Sequence, residues 1–365
     1  MGMRKSYIIL LALLVFPFVR TWAQLAEKEY RIALLLPFKS ADAGSNNLSE
    51  AMLDYYEGFK TAAMGLEAEG LHLKLYVFDS EKDSMALENA LAHPDMPTMD
   101  VIVGPVYEKG LELTEKFCKT HKILLVSPLK YYEPKQSKGN LVNFFVPDSL
   151  KMLASLEKSV SWYPKHRFIV VSGTDNESKA MANTLMQELR NKHGIKAQSM
   201  SYSNSKLNTT IPYKDSVIIL TTANARDAKS VIARAIKYQA HSYLFAHVEW
   251  HNPSQSTYNV NEPRVIYPEV NYVSLDDSMA AQFRNSFFES YAGEPSKFAY
   301  IGYDQATYLC YGLMTFGRNF VNHLPNAEYR GYINMIRLRP LNNGYANFGL
   351  NYLQIVDEER KEFAP

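Results

Sequence analysis

The chain has 365 residues with 39 basic and 38 acidic side chains, so its formal net charge is only +1. This balance gives no electrostatic reason to expect a nucleic acid or an anionic membrane as a partner. Aromatic residues make up 13% of the chain, and its 25 Tyr and 17 Gly are typical of a packed globular protein rather than a disordered one.

The first 23 residues have the pattern of a cleaved secretory signal peptide. Arg4 and Lys5 give a positive start, residues 8–16 are apolar, and Ala23 places a small residue ahead of Gln24. The alternative is an uncleaved membrane anchor, for which the apolar run is short. Because Gln24, and not a cysteine, stands directly after the predicted cleavage site, we expect a periplasmic protein that is not a lipoprotein.

Two cysteines, Cys118 and Cys310, are present. In an oxidising compartment they could form one disulfide. Both fall in helical-looking segments far apart in the sequence, and two buried thiols are the alternative.

Strand-like and helix-like segments alternate along the rest of the chain, which predicts parallel sheets built from crossover units. The predicted strands are 30–38, 71–78, 101–103, 123–126, 141–146, 166–171, 195–202, 216–221, 242–247, 265–273 and 351–356. The predicted helices are 50–66, 83–92, 108–120, 149–160, 178–193, 225–239, 277–292 and 302–320. The alternation breaks twice, near 145 and near 268, where extended segments with proline intervene.

One of these strands indicates where a site should lie. Val101, Ile102 and Val103 form an apolar β-branched run of the kind buried on both faces of a parallel sheet, and Gly104-Pro105 ends it. Ligands of open α/β sheets sit beyond the carboxyl ends of the strands. Residues 104–109 are therefore the first candidate region.

An ordered set of short motifs resembles the type I periplasmic binding proteins, whose best-known members bind branched-chain amino acids. The resemblance covers about residues 28–357. The motifs that carry it are Ile32–Pro37, Tyr56–Phe59, Val77–Asp79, Val101–Pro105, Leu125–Pro128, Asn143–Phe145, Gly293–Pro295 and Gly302–Asp304.

The resemblance implies two Rossmann-like α/β lobes joined by three crossing hinge strands, with a ligand in the cleft between them. Lobe one would comprise 28–145 and 274–322, and lobe two 149–264 and 323–357. The hinge would lie near 145–148, 265–273 and 323–345.

The resemblance also implies ligand-binding residues in lobe one, at the Gly-Pro and Ser-Pro turns. In amino-acid-binding relatives, small hydroxyl residues after these turns hold the ligand carboxylate. Here the candidates are Val106 and Tyr107 after Gly104-Pro105, and Ser127 itself with Leu129 and Lys130 after Ser127-Pro128, so the hydroxyl pair that follows the turns is missing. Lys130 could pair with an anionic ligand and Tyr107 could stack on a ring. The alternative is that these residues pack at the lobe interface or face water.

In lobe two, the resemblance places Thr174 and Asp175 beside the ligand, and Glu249 near the position of an acidic residue that binds the ligand ammonium. Asp175 could instead cap the next helix. Trp250 is a candidate stacking platform or a lobe-interface anchor.

The sequence contains no motif for an enzyme, a metal centre or a cofactor. It has no Gly-x-Ser-x-Gly motif and no phosphate-binding glycine loop, and the spacing of His247, Glu249 and His251 does not match a zinc set. We therefore expect a protein that is not an enzyme.

Two hypotheses of function follow. The first is an exported solute-binding or ligand-sensing protein that closes on a small ligand, anionic or amino-acid-like, and serves ABC transport through a membrane permease or envelope signalling. The second is a protein-interaction module of the cell envelope, such as a regulator of peptidoglycan synthesis. The missing hydroxyl pair favours the second, and the missing lipid-anchor cysteine favours the first.

Overall fold

A computed structural model describes most of the chain beyond the N-terminal segment. The described residues are 29–38, 46–81, 84–135, 140–204, 216–221, 225–237, 243–246, 265–272, 278–323, 328–356, 359–363 and 365. The predicted signal peptide, Glu249 and Trp250 lie outside them.

The described elements follow the predicted alternation closely. The strands are β1 Tyr30–Leu36, β2 Leu73–Asp79, β3 Val101–Val103, β4 Leu124–Ser127, β5 Leu141–Asn143, β6 Arg167–Ser172, β7 Gln198–Ser201, β8 Ser216–Leu220, β9 Tyr243–Phe245, β10 Val265–Glu269, β11 Tyr329–Arg330, β12 Met335–Ile336, β13 Leu338–Leu341, β14 Gly344–Asn347, β15 Asn351–Val356 and β16 Glu359–Glu362. The helices are α1 Asn46–Ala68, α2 Ser84–Leu91, α3 Glu108–His121, α4 Asp148–Trp162, α5 Asn176–His193, α6 Ala225–Lys237, α7 Ser278–Tyr291 and α8 Lys297–Phe316, with short 3₁₀ turns at Met96–Thr98 and Gly317–Asn322.

Two seven-stranded sheets organise these elements. The first has the order β13-β14-β5-β4-β3-β1-β2, and the second has the order β16-β15-β10-β9-β8-β6-β7. Strands β1 to β5 pair with one another in parallel, as do β6 to β10, while β10 also pairs antiparallel with β15. The predicted architecture of two parallel-dominated sheets is confirmed.

Each sheet is covered by helices on both faces, and β1 shows why. Its side chains alternate, so that Ile32 and Leu34 pack with α1 and α8 on one face. Ala33 and Leu35 pack with α2 and α3 on the other face. A strand that is buried on both faces needs a continuous apolar run, which is the pattern that the sequence shows.

The third connection between the sheets differs from the sequence-based division, which placed 323–357 in lobe two and a hinge near 323–345. The hairpin of β13 and β14 joins the first sheet instead, and only β15 and β16 join the second. The crossing is therefore 348–350. The sequence signal was weak because these strands are short and contain Pro340.

Two helix starts also differ from the prediction. The helix predicted over 50–66 begins earlier, at Asn46, so Ser49 lies inside its first turn. Helix α8 begins at Lys297 with Ser296 as its N-cap, which places Asp304 in the helix interior rather than at its start. Both cysteines are buried and unbridged. None of the described helices is long and apolar enough to cross a membrane.

Candidate functional site

The Gly104-Pro105 and Ser127-Pro128 turns lie side by side at one edge of the first sheet. Strands β3 and β4 are parallel neighbours, with Val103 opposite Val126. The backbone N–H of Gly104 donates to the carbonyl of Val126 at 2.8 Å, and the Gly104-Pro105 peptide bond is cis. The two turns predicted to border a ligand therefore share the carboxyl edge of the sheet.

This edge is joined to the corresponding edge of the second sheet. Strand β5 ends at this edge and leads through 144–147 into α4, which begins at the carboxyl edge of the second sheet. Strand β14, parallel to β5, leads through 348–350 into β15, which starts opposite the carboxyl end of β10. The space between the two carboxyl edges is the interlobe cleft, the position where open α/β sheets bind ligands.

The two polar candidates on the Ser-Pro turn are already bonded within lobe one. The Ser127 hydroxyl is fully buried and donates to the carbonyl of Lys130 at 2.6 Å. The Lys130 ammonium forms an exposed ion pair with Glu108 at 2.8 Å. The hydrogen bond from Lys130 and its positive charge lower the pKa of Glu108. An anionic ligand would have to compete with Glu108 for Lys130.

The remaining lobe-one candidates are apolar or aromatic. Val106 and Leu129 are half-buried and pack against the core that lies between the sheet, α1 and α8. Tyr107 is also half-buried and occupies the N-cap position of α3, where its side chain makes no capping hydrogen bond. This wall of the cleft therefore offers hydrophobic surface and one phenol.

Two buried amides that sequence reasoning missed hold the Ser-Pro loop in place. The Gln305 side chain donates to the carbonyl of Pro128 at 3.0 Å and accepts from the Tyr55 hydroxyl at 2.7 Å. Asn143 accepts from the N–H of Tyr132 at 2.9 Å and donates to its carbonyl at 3.0 Å. Asn143 interrupts the apolar run 141–146, which is the signal that could have identified it, whereas Gln305 follows Asp304 in no such run.

In lobe two, the two described candidates lie at the start of α5. Thr174 is exposed. Asp175 is the N-cap residue, and its carboxylate accepts from the backbone N–H of Ser178 at 2.7 Å and from its hydroxyl at 2.6 Å. These hydrogen bonds lower the pKa of Asp175. Its side chain therefore performs the capping role that was the alternative interpretation.

Among the described residues, no group of three or more His, Cys, Asp or Glu side chains could hold a metal ion.

No protein-family model and no curated protein matches the sequence. Solved structures do match. A protein assigned as a branched-chain amino acid ABC transporter from Rhodospirillum rubrum has a TM-score of 0.64 at 12% identity, over 92% of this chain and 100% of that one. An ABC transporter substrate-binding protein from Desulfitobacterium hafniense has a TM-score of 0.51 at 15% identity, over 92% of this chain and 100% of that one.

Full-length LpoA from Haemophilus influenzae has a TM-score of 0.63 at 12% identity, over 93% of this chain but 59% of LpoA. At these identities the likeness concerns the fold. The chain has the two-lobed fold of the type I periplasmic binding proteins.

Proposed function

We propose that this chain is an exported solute-binding or ligand-sensing protein that closes its two lobes on a small ligand in the interlobe cleft. The supporting observations are that the connections at 144–147 and 348–350 join the carboxyl edges of the two sheets, and that the Gly104 and Ser127 turns lie side by side at one of these edges. The match to solute-binding proteins over their whole length adds support.

Closure would follow from a difference in affinity. A ligand that contacts both lobes binds the closed state more tightly than the open one, and it therefore shifts the population toward the closed state. The crossing segments at 144–147, 270–272 and 348–350 would act as the hinge, and the closed state would be presented to a membrane permease or an envelope receptor.

The lobe-one residues at this edge indicate which part of a ligand they would contact. Val106, Leu129 and Tyr107 would contact the apolar part of an amino-acid-like ligand. Because the hydroxyl of Ser127 is engaged within the loop, the carboxylate would rely on backbone N–H groups or on Lys130 released from Glu108. Thr174, Asp175, Glu249 and Trp250 would complete the site from lobe two.

Thermal melts with a library of amino acids, short peptides and organic acids test this proposal. A ligand that binds only the native state must raise its melting temperature. We expect at least one compound to raise the melting temperature of the wild type and of the Val77→Trp variant. Val77→Trp is the control, because it places the same indole ring at an exposed position of the edge strand β2. Val106→Trp should abolish the rise. A flat response of the wild type would contradict the proposal.

A second function, a protein-interaction module of the cell envelope, is favoured by one observation. Ser127, Lys130 and Asp175 all direct their polar atoms to partners within their own lobes. A cleft whose polar groups are satisfied in this way needs no ligand. A flat thermal response, together with direct binding to a purified peptidoglycan synthase, would establish this alternative.

A further inference from the structure

The hairpin of β13 and β14 packs in both lobes, although it belongs to the first sheet. Leu338 and Tyr345 lie on one face of the hairpin and pack in the core of lobe one. Leu341 and Ala346 lie on the opposite face, because side chains alternate along a strand, and they pack in the core of lobe two. The hairpin therefore joins the two lobes in addition to the three crossing segments.

A partly buried ion pair connects this second face of the hairpin to helix α4 of lobe two. The guanidinium of Arg339 in β13, which lies on the same face as Ala346, pairs with the carboxylate of Glu157 in α4. The two side chains are only 27% and 25% exposed. The guanidinium also lies 5.2 Å from the centre of the Phe348 ring, within the range of a cation–π interaction. Because burial reduces screening by salt, such a pair contributes more than an exposed one.

A second ion pair between the lobes is exposed. Arg330 of β11 pairs with Glu362 of β16, and the two side chains are 58% and 44% exposed. Exposed pairs contribute little to the stability of a conformation. The pair of Arg339 and Glu157 is therefore the stronger of these two ionic links.

The Arg339–Glu157 pair lies well away from the axis about which the lobes would turn. Glu157 is nine residues beyond Asp148, where α4 leaves the first crossing segment. At a rise of about 1.5 Å per residue, the two positions are about 14 Å apart. A rotation of about 20° across the start of α4 would move Glu157 by about 5 Å relative to Arg339, which exceeds the range of an ion pair. Closure of the lobes therefore breaks the pair.

The conformation that contains this pair is open at the cleft. Phe145 in the first crossing segment is 43% exposed. Lys130 at the edge of lobe one, and Thr174 and Asp175 at the edge of lobe two, are also exposed. Closure on a ligand would bury these side chains. The ion pair is therefore a feature of the open state.

We propose that the Arg339–Glu157 pair is a latch that stabilises the open state and so sets the affinity of the cleft for its ligand. The inference rests on the proposed function, because it concerns closure of the same cleft. A ligand shifts the lobes toward the closed state only by its differential affinity, and part of that difference offsets the loss of the latch. Removal of the latch therefore strengthens ligand binding, although neither residue lies in the proposed binding site.

Distances between the lobes in the ligand-free protein test the latch. Spin labels at Met64→Cys in α1 and Arg190→Cys in α5 report on lobes one and two, since both positions are exposed. Pulsed electron–electron double resonance should give one main population for the labelled protein with the native pair. Arg339→Glu should add a second population, because two carboxylates then repel each other across the lobes. The double substitution of Arg339→Glu with Glu157→Arg should restore the single population.

Two further variants control for unrelated effects. Arg284→Glu reverses one partner of an exposed ion pair with Glu294 inside lobe one, and it should leave the distances unchanged. Glu157→Gln removes the charge but keeps the shape of the side chain, and it should give a smaller second population than Arg339→Glu. Melting temperatures of the ligand-free variants will show that each is folded.

Calorimetry tests the consequence for binding. The probe is the compound that most raises the melting temperature of the wild type in a library of amino acids, short peptides and organic acids. Arg339→Glu should lower the Kd of this compound roughly 5-fold, the size of effect expected for one ion pair, and the double substitution should return it to the wild-type value. If no compound binds, the proposed function fails, whereas the ligand-free distances still decide whether the latch exists.

The latch is overturned if Arg339→Glu leaves the ligand-free distances unchanged, or if the double substitution does not restore them. It is also overturned if Arg339→Glu binds the compound no more tightly than the wild type does.

Discussion

The buried carboxylate of Asp304 in α8 accepts the backbone N–H of Ile333 at 2.9 Å. It also accepts those of Tyr332 at 2.7 Å and Asn334 at 2.9 Å. The same loop bonds to a crossing segment and to a strand, because the backbone N–H of Tyr272 donates to the carbonyl of Ile333 at 2.9 Å, and the side-chain amide of Asn351, the first residue of β15, does so at 3.1 Å. One carboxylate of lobe one therefore holds the loop that bonds to the crossing segment 270–272 and to the start of β15.

Asp304→Asn should destabilise the protein by about 2–3 kcal/mol, because an amide replaces one acceptor oxygen with a donor that faces backbone N–H groups. Urea denaturation measures the change. Asp148→Asn is the matched control, since Asp148 is exposed at the start of α4, and it should cost less than about 0.5 kcal/mol. Equal, small effects of both substitutions would contradict the role given to Asp304.

The same carboxylate should make stability depend on pH. Burial raises the pKa of Asp304 from 3.8 to about 6, although the backbone hydrogen bonds oppose the rise. The folded state therefore binds the proton more tightly than the unfolded state. Its contribution, about 3 kcal/mol, is fully present below pH 3.8 and is lost as the pH rises through 6.

Denaturation of the wild type and of Asp304→Asn at pH 4, 5, 6 and 7 measures this contribution. The stability advantage of the wild type over the variant should shrink as the pH rises. An advantage that stays constant or grows over this range would show that the pKa of Asp304 is not raised.

Gly104→Ala should destabilise the protein by about 3 kcal/mol. Gly104 has φ of +89°, and a Cβ there would lie 2.2 Å from the carbonyl oxygen of Leu35 in β1. Gly65→Ala is the matched control, because no atom lies within 4 Å of its Cβ position in α1. That substitution should raise the stability by about 0.5–1 kcal/mol. Thermal melts distinguish the two, and a neutral Gly104→Ala would contradict the close packing of this turn on β1.

Neither thiol should react in the folded protein. Burial raises the pKa of Cys310 to about 12 and raises that of Cys118 as well, so the reactive thiolate is scarce at pH 8. Ellman's reagent should detect no thiol in the native protein and two after denaturation. Two unreactive cysteines after denaturation without reductant would instead indicate a disulfide.

Much of the fold could be predicted because buried parallel strands have a distinct composition. The apolar runs at Ile32–Leu36 and Val101–Val103 end at proline or glycine, and these stops mark the carboxyl edges that border the cleft. The hairpin of β13 and β14 was missed because two short strands carry little pattern of their own. Its place in the first sheet depends on pairing with β5, about 200 residues earlier.

The site was less predictable, because sequence shows which groups are present but not which are already bonded. Ser127 was a candidate ligand contact, yet its hydroxyl donates a hydrogen bond to the backbone carbonyl of Lys130, three residues later. The predicted helix 302–320 placed Asp304 in a first turn, whereas its partners lie about 28 residues later in the chain.

The central claim, closure of two lobes on a small ligand, is tested most directly by the distance between the lobes. Spin labels at Met64→Cys in α1 and Arg190→Cys in α5 occupy exposed positions in lobes one and two, and the buried native cysteines should remain unlabelled. Pulsed electron–electron double resonance measures the distance between the two labels. With a compound that raises the melting temperature, the distribution of this distance should shift to a single new population. A distribution that stays unchanged with every such compound would contradict closure.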